Sequence, residues 1–313
     1  MNSYMVSDGK VKISVFNANG IESNEASGIS PEFCAMLGCA AGTANCGRIG
    51  IGFSGGAAGE AMKNAFAAGV QSTGASVVDF GAVMESEAVF AISALGLNLS
   101  AYITSGPQSS VRFLGVGGIA APPEVMRSMD EIISGGTFRR CCWNEYRPSA
   151  DISGIKLLYR RELYSGAPNG LAPMCARPVC DNPVGEALFA DILCQLGCNT
   201  AKGNIFRLSS DGLSLTIEDS VAGVIGPKRV SVLSCGAEFE RHNDVSVPEN
   251  APPEIEELAK RYSRKVYRYG NECSDNVMAR AQYRMRDGIM TAIRIMAFMR
   301  ERNMTLEQMD MHF

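Results

Sequence analysis

The feature that most constrains this chain is a rhythm running from residue 48 to residue 104. There, short apolar segments alternate with longer segments of helical spacing, joined by brief Gly- and Ser-containing turns. Residues 48–53 read as a strand, followed by the turn Ser54-Gly55-Gly56. Residues 57–72 carry Met62, Phe66 and Val70 on one helical face, and Gly74 follows. Residues 75–80 read as a strand, 85–95 as a helix and 100–104 as a strand. Upstream, 11–16 alternates like a short strand. Residues 30–38 read as a helix with Ser30 as N-cap, Pro31 in the first turn and Gly38 at its end. Strand–helix–strand alternation with short connections predicts an α/β fold, a largely parallel sheet covered by helices. In such sheets ligands bind beyond the carboxyl ends of the strands, where the loops gather.

The second half is less regular. A charged, aromatic stretch at 139–149 reads as a domain boundary, and the Pro- and Gly-rich stretch 165–183 reads as a loop. Beyond it, 184–196 has helical spacing, 213–217 and 230–235 read as strands, 252–263 as a charged helix and 265–268 as a strand. The last helix, 288–302, carries Ile289, Ile293, Met296 and Met299 along one side, a core stripe. The length of 313 residues, 46% of them apolar, predicts two or three domains, each with its own core. The expected divisions are 1–148, 149–226 and 227–313.

Charge and composition exclude several classes. A net charge of −4 leaves no electrostatic footprint for nucleic acid. No apolar run approaches the ~18–20 residues of a membrane span. The polar start predicts no secretory signal and a cytoplasmic location. Two histidines, His242 and His312, argue against a His-rich metal site or a Ser–His–Asp relay. The eleven cysteines contain no C-x-x-C pair. Cys34, Cys39 and Cys46 are loosely spaced, as are Cys175 and Cys180, and Cys194 and Cys198. These residues, with the adjacent Cys141 and Cys142, read as reduced thiols behaving as small hydrophobes rather than as a metal site or a redox pair.

A literal G-x-G-x-x-G spans Gly50, Gly52 and Gly55, and Asp79 lies at a strand end further on, where a ribose-binding acid is expected in dinucleotide-binding folds. That fingerprint needs an apolar strand before its first glycine. Here Ile49, Ile51 and Phe53 alternate with the glycines, which puts Gly50 and Gly52 inside the strand.

A different arrangement accounts for more of the chain. Residues 65–81 read Ala-Phe-Ala-Ala-Gly-Val-Gln-Ser-Thr-Gly-Ala-Ser-Val-Val-Asp-Phe-Gly, and Tyr102-Ile103-Thr104-Ser105-Gly106-Pro107 ends the following strand. Residues 48–118 resemble the first domain of the α-D-phosphohexomutases, the phosphoglucomutase and phosphomannomutase family. Phe16 to Glu22 is similar to that family's Phe-Gly-Thr-x-Gly-Ile-Arg start. Ser210-Asp211-Gly212-Leu213-Ser214-Leu215 falls at its metal loop, Asp-Gly-Asp-x-Asp-Arg. Gly270-Asn271-Glu272-Cys273-Ser274-Asp275 echoes its Gly-Gly-Glu-x-Ser-Gly sugar loop, and Arg286-Asp287-Gly288-Ile289 its Asp-Gly. The resemblance implies successive three-layer α/β/α domains, with no counterpart of the family's fourth domain before Phe313.

In that family a phosphoserine exchanges its phosphoryl group with a sugar phosphate, beside a magnesium held by three aspartates and near arginines. The resemblance implies Ser105 as the candidate catalytic residue after a one-residue shift; ungapped from Thr104, the serine position falls on Gly106. It implies Asp211 as the candidate metal ligand, with Arg207 and Ser209 at the other two ligand positions. Glu272 and Ser274 become candidate sugar contacts. The Ser54-Gly55-Gly56 turn becomes a candidate anion site, since backbone N–H groups at a helix start need no side chain. The departures matter equally. Glu22 replaces an arginine, and Gly-Arg-Asp-x-Arg has become Gly52-Phe53-Ser54-Gly55-Gly56, without a cation. Phosphoryl transfer depends on positioned cations. The expectation is therefore a phosphohexomutase-like protein related to hexose phosphate metabolism that binds a phosphorylated sugar or a protein without phosphotransfer. The alternative is an active mutase using Ser105 and Mg²⁺ near Asp211. Self-association into a homo-oligomer is expected from the surface that a missing fourth domain exposes.

Overall fold

The computed structural model describes residues 6–7, 10–11, 20–23, 29–106, 108–270 and 276–313. The chain divides into two compact units, Met1–Ile155 and Lys156–Phe313.

In the first unit, the two-residue strands β1 (Val6–Ser7) and β2 (Lys10–Val11) pair antiparallel. The rest of the expected strand at 11–16 lies outside the described residues. Then come β3 (Gly20–Ser23), α1 (Pro31–Ala44), β4 (Arg48–Phe53), α2 (Gly56–Gln71), β5 (Ser76–Ala82), α3 (Glu85–Leu95) and β6 (Leu99–Thr104). β7 (Ser109–Gly115), α4 (Pro123–Gly135) and β8 (Ala150–Asp151) complete it. The sheet order is β3-β7-β6-β4-β5-β8. β6, β4, β5 and β8 run parallel; β7 is antiparallel to β6, and β3 at the edge is antiparallel to β7.

Alternation along the strands sorts the two faces. Ile49, Ile51 and Phe53 of β4 join Ala101 and Ile103 of β6 and Val111 and Phe113 of β7 in one core with α1, α2 and α4. The opposite face receives α3, whose Val89 fills the space beside Gly118. Gly50 and Gly52 belong to that face. A Cβ on Gly50 would lie 2.5 Å from Phe80 and Ser100 atoms, and one on Gly52 2.9 Å from Val83. These glycines admit neighbouring side chains within the sheet.

α1 and α2 cross with their backbones in contact. A Cβ on Gly38 would sit 2.1 Å from the Phe66 carbonyl oxygen, and one on Gly69 2.1 Å from that of Ala35. Gly38 therefore marks this crossing rather than a helix end: Ser30 caps α1 by accepting from the Phe33 N–H, and the helix runs on to Ala44. Residues 139–149 remain inside the first unit, pinned to the end of α2. The Cys141 N–H donates to the Ser72 carbonyl at 3.1 Å, and Gln71 Nε2 to the Arg147 carbonyl at 2.9 Å.

The second unit contains α5 (Ile155–Tyr164, which begins at the division), β9 (Cys175–Cys180), α6 (Pro183–Gln195), β10 (Asn199–Leu208), β11 (Leu215–Asp219) and β12 (Gly223–Ile225). Next are α7 (Pro227–Glu240), β13 (Val245–Pro248), α8 (Glu254–Arg261), β14 (Val266–Tyr269), α9 (Asn276–Ala281), α10 (Gly288–Arg302) and α11 (Leu306–His312). One sheet runs β12-β11-β10-β9, and β13 pairs parallel with β14 alone. Val232, Cys235 and Phe239 of α7 form a core with Val245, Val247, Ile255 and Leu258.

Two sequence expectations fail here. The apolar run 230–235, expected as a strand, lies within α7. Pro227 starts that helix, and Val230, Val232, Leu233 and Cys235 are buried on several sides at once. A short apolar run bounded by glycine does not distinguish a buried strand from a buried helix turn. The stretch 165–183 is not all loop, because β9 occupies Cys175–Cys180 in spite of Pro178. β10 pairs in parallel on one side of it.

The edge of β13 is closed by one side chain. Gln282 Oε1 accepts from the Ser246 N–H at 2.6 Å, and Gln282 Nε2 donates to the Asp244 carbonyl at 2.7 Å. Among the described residues, no helix is long and apolar enough to cross a membrane.

Candidate functional site

The carboxyl ends of β4 and β6 bring two loops together. The Ser54 N–H donates to the Ile103 carbonyl at 2.9 Å, tying the end of β4 to the end of β6. The Ser105 N–H donates to Ser54 Oγ at 3.3 Å, and Ser105 Oγ donates to the Gly55 carbonyl at 3.1 Å. The sequence-predicted residues Ser54, Gly55, Gly56 and Ser105 are therefore one constellation. Ser105 is half-buried beneath the first turn of α2, where a Cβ on Gly59 would lie 3.0 Å from its Oγ.

The start of α2 is open. Gly55 at the N-cap supplies no side-chain acceptor, and the first turn holds no acid. Gly55 and Gly56 have φ of +104° and +79°, and nothing lies within 4 Å of where their Cβ atoms would be. Such a backbone suits glycine, and the first turn of α2 has no side-chain cap. Gly106, the ungapped alternative, has φ +146° with equally open space and offers no nucleophile. Ser109 and Ser110 begin β7; Ser109 is buried and its Oγ accepts from the Ile29 N–H at 2.9 Å.

Sequence reasoning missed the cations nearest this edge. Lys63, seven residues past Gly56 and so on the same side of α2, reaches Asp79 Oδ2 at 2.6 Å and lies 5.6 Å from the Phe53 ring centre. Asp79 also accepts from the Gly81 N–H through Oδ1 at 2.8 Å, so both its oxygens have partners within the fold. Hydrogen bonds from Ser153 hold the Asp151 carboxyl below its usual range, with Lys63 adding to the effect. Arg112, opposite Tyr102 in the β6–β7 ladder, pairs with the buried Glu85 at 2.8 Å. The spacing from Gly56 to Lys63 is readable in the sequence; the Arg112–Glu85 pair depends on β7, which was not foreseen. Glu22, at the position of the family's arginine, lies exposed on β3 opposite Ser110.

The aspartate loop of the second unit is built differently. Asp211 Oδ1 accepts from Ser209 Oγ at 2.5 Å and from the Leu213 N–H at 2.9 Å. The Ser214 N–H donates to Ser209 Oγ at 2.9 Å, and the Ser209 N–H to the Ser214 carbonyl at 3.0 Å. Arg207 is engaged across the ladder with Glu218, its Nε and Nη2 at 3.0 and 2.9 Å from one oxygen. Three oxygen donors at these positions would suit magnesium. One carboxylate, a hydroxyl directed at that carboxylate and a guanidinium do not fit the ion. Among the described residues, no group of three or more His, Cys, Asp or Glu side chains is arranged to hold a metal. Asp287 caps α10 by accepting from the Met290 N–H at 2.9 Å and is buried against Tyr159, whose hydroxyl donates to it at 2.7 Å. Glu272 and Ser274 lie outside the described residues.

The fold is of the phosphohexomutase type. Over 135 residues, 42% of this chain and 30% of the relative, it is 29% identical to the probable phosphoglucosamine mutase of Thermococcus kodakarensis. It is 26% identical over 144 residues to the phosphopentomutase of the same organism, covering 45% of this chain and 32% of that one. The matches thus span about a third of the length of these curated relatives. Among solved structures, a phosphoglucomutase/phosphomannomutase family protein from Burkholderia thailandensis superposes with a TM-score of 0.72 at 14% identity, over 92% of this chain and 77% of that one. Paramecium parafusin, a phosphoglucomutase, does so with a TM-score of 0.65 at 10% identity, over 97% and 74% of the two chains. No protein-family model matches the chain.

Proposed function

We propose that this protein binds a phosphorylated sugar at the Ser54–Ser105 loop pair and does not transfer the phosphoryl group. The observation that carries the binding half is the open start of α2 against Ser105. A first turn without a side-chain cap and the positive end of a 16-residue helix favour an anion, with the Ser54 hydroxyl, whose oxygen accepts from the Ser105 N–H, as a further donor. The name phosphoglucosamine mutase, carried by a relative, supports a hexose phosphate as the ligand class. The aspartate loop supports the loss of transfer. One oxygen of its single carboxylate, Asp211 Oδ1, is engaged by its own turn, and an arginine stands where the family places a ligand. Removing a single preorganised electrostatic partner typically lowers kcat by ~10²–10³, and several are replaced here.

The test is direct. The full chain is incubated with glucose 1,6-bisphosphate and Mg²⁺, and its intact mass is followed alongside calorimetric titration with glucose 6-phosphate and glucosamine 6-phosphate. Saturable binding without a phosphoryl adduct is expected, and S105A should weaken binding without abolishing it. A stoichiometric phosphoserine at Ser105 overturns the inactive reading and establishes the mutase alternative. No binding of any hexose phosphate overturns the ligand assignment.

A further inference from the structure

The second unit holds a cavity of about 450 Å³ at the amino ends of β13 and β14, where residues 242–245 and Arg264 meet α9, the 3₁₀ turn Tyr283–Arg286 and α10. It shares no residue with the Ser54–Ser105 loop pair. Sites for small organic molecules typically span ~300–1,000 Å³. Met278 and Met285 give this one an apolar wall. Three arginines line it, Arg264, Arg284 and Arg294, against two carboxylates, Glu238 and Asp244.

The arginines keep donors in reserve. Arg264 Nε donates to the Tyr262 carbonyl at 3.3 Å, and Nη1 to the His242 carbonyl at 3.0 Å. Carbonyl groups orient a guanidinium without cancelling its charge. Among the described residues no carboxylate pairs with Arg264, and its Nη2 has no hydrogen-bond partner. Arg294, with a side chain only 18% exposed, engages Glu238 Oε1 at 3.3 Å and Met285 Sδ at 3.5 Å, both through Nη1. Its Nε and Nη2 have no hydrogen-bond partner among the described residues, and neither is sealed from solvent.

The carboxylates leave that charge in excess. Glu238 is shared between Arg294 and Arg241 through Oε1, and its Oε2 accepts from Asn243 Nδ2 at 2.8 Å. Burial pulls the Arg294 guanidinium below its ordinary value; Glu238 opposes this, and the positive charges of Arg284 and Arg241 add to it. Asp244 Oδ1 accepts from the Lys265 N–H at 2.9 Å, while Oδ2 has no partner among the described residues.

We propose that this cavity binds a small organic phosphate, its anionic group on Arg264 and Arg294 and a hydroxyl of its body on Asp244. Two guanidinium groups reaching one cavity from different elements suit a dianion, which a phosphate monoester is and a single carboxylate is not. The site stands independently of the loop pair in the first unit.

The full chain is titrated calorimetrically with ribose 5-phosphate, ribose, inorganic phosphate and malate, and amide hydrogen exchange locates the binding. Ribose 5-phosphate should bind and should protect amides at 242–246 and 278–285. R264M and R294M should each lower its affinity about tenfold, and R264K should restore part of it. Arg264 bonds only to carbonyls, so R264M carries the test if R294M melts early by circular dichroism. A57D, at the start of α2, should leave the protection intact. Protection confined to 54–59 and 104–106, or an unchanged affinity in R264M, overturns the site. Ribose binding as tightly as its phosphate overturns the anionic class. Inorganic phosphate binding as tightly overturns the organic body, and malate binding more tightly overturns the phosphate.

Discussion

The serine loop of the first unit and the aspartate loop of the second are made of similar parts, a strand end, a glycine and short polar side chains, and they end in opposite conditions. In the first, Gly55 and Gly56 hold the start of α2 away from side-chain cover, and the Ser54 and Ser105 hydroxyls line the opening. In the second, Ser209 Oγ and Asp211 Oδ1 engage each other and the amides of Ser214 and Leu213. A receptor for an anion can survive the loss of side chains because the backbone provides it. A magnesium site built from three carboxylates cannot, because those donors are side chains.

The comparison breaks most visibly through the packing that seats α2 on α1. Gly69→Val would drive two methyls into the Ala35 carbonyl at the α1–α2 crossing, costing about 3 kcal/mol or more. Urea unfolding followed by proteolytic mapping should show the first unit opening early and hexose phosphate binding lost with it. Asp211→Ala tests the other loop. It removes two hydrogen bonds from a half-buried turn and should destabilise by about 1–2 kcal/mol, equally with and without millimolar Mg²⁺. A loss confined to magnesium-containing buffer would mean that the loop binds the ion after all.

Ala57→Asp sharpens the contrast with less force. An acid in the first turn of α2 should raise thermal stability slightly while weakening sugar phosphate binding about tenfold, near 1.4 kcal/mol. Stability and affinity moving together would place the phosphate elsewhere. The smallest effect is acidic and belongs to the second unit. Hydrogen bonds from Arg268 hold Glu256 below the usual glutamate range, against the opposing pull of burial. Its stabilising contribution is therefore complete above the ordinary value of 4.5 and fades as pH falls through the lowered one. The pair is partly exposed, so R268M should flatten this limb by only ~0.5 kcal/mol in urea titrations at descending pH.

What could be read beforehand follows the range of the interactions involved. The succession β4, α2, β5, α3, β6 was legible because each strand is short, apolar and bounded by glycine or a cap, all local signals. Ser54 and Ser105 were legible as loop residues at strand ends. The helix at 227–240 was not, since Val230-Ser231-Val232 alternates as a strand would while the helix buries nearly every residue from Val230 to Phe239. Lys63 shows its spacing from Gly56, but its partner Asp79 is sixteen residues away on β5. The pairing of Arg139 with Cys46 spans 93 residues and leaves no trace in either segment alone.

Gln282 carries a consequence beyond the stability of its own unit. Its carboxamide engages the Asp244 carbonyl and the Ser246 amide as a neighbouring strand's peptide group would. An open strand edge is a template for another chain, and here one side chain occupies it. Gln282→Ala would thus change how this protein behaves in company more than how it behaves alone, freeing β13 to recruit strands from other copies as concentration rises.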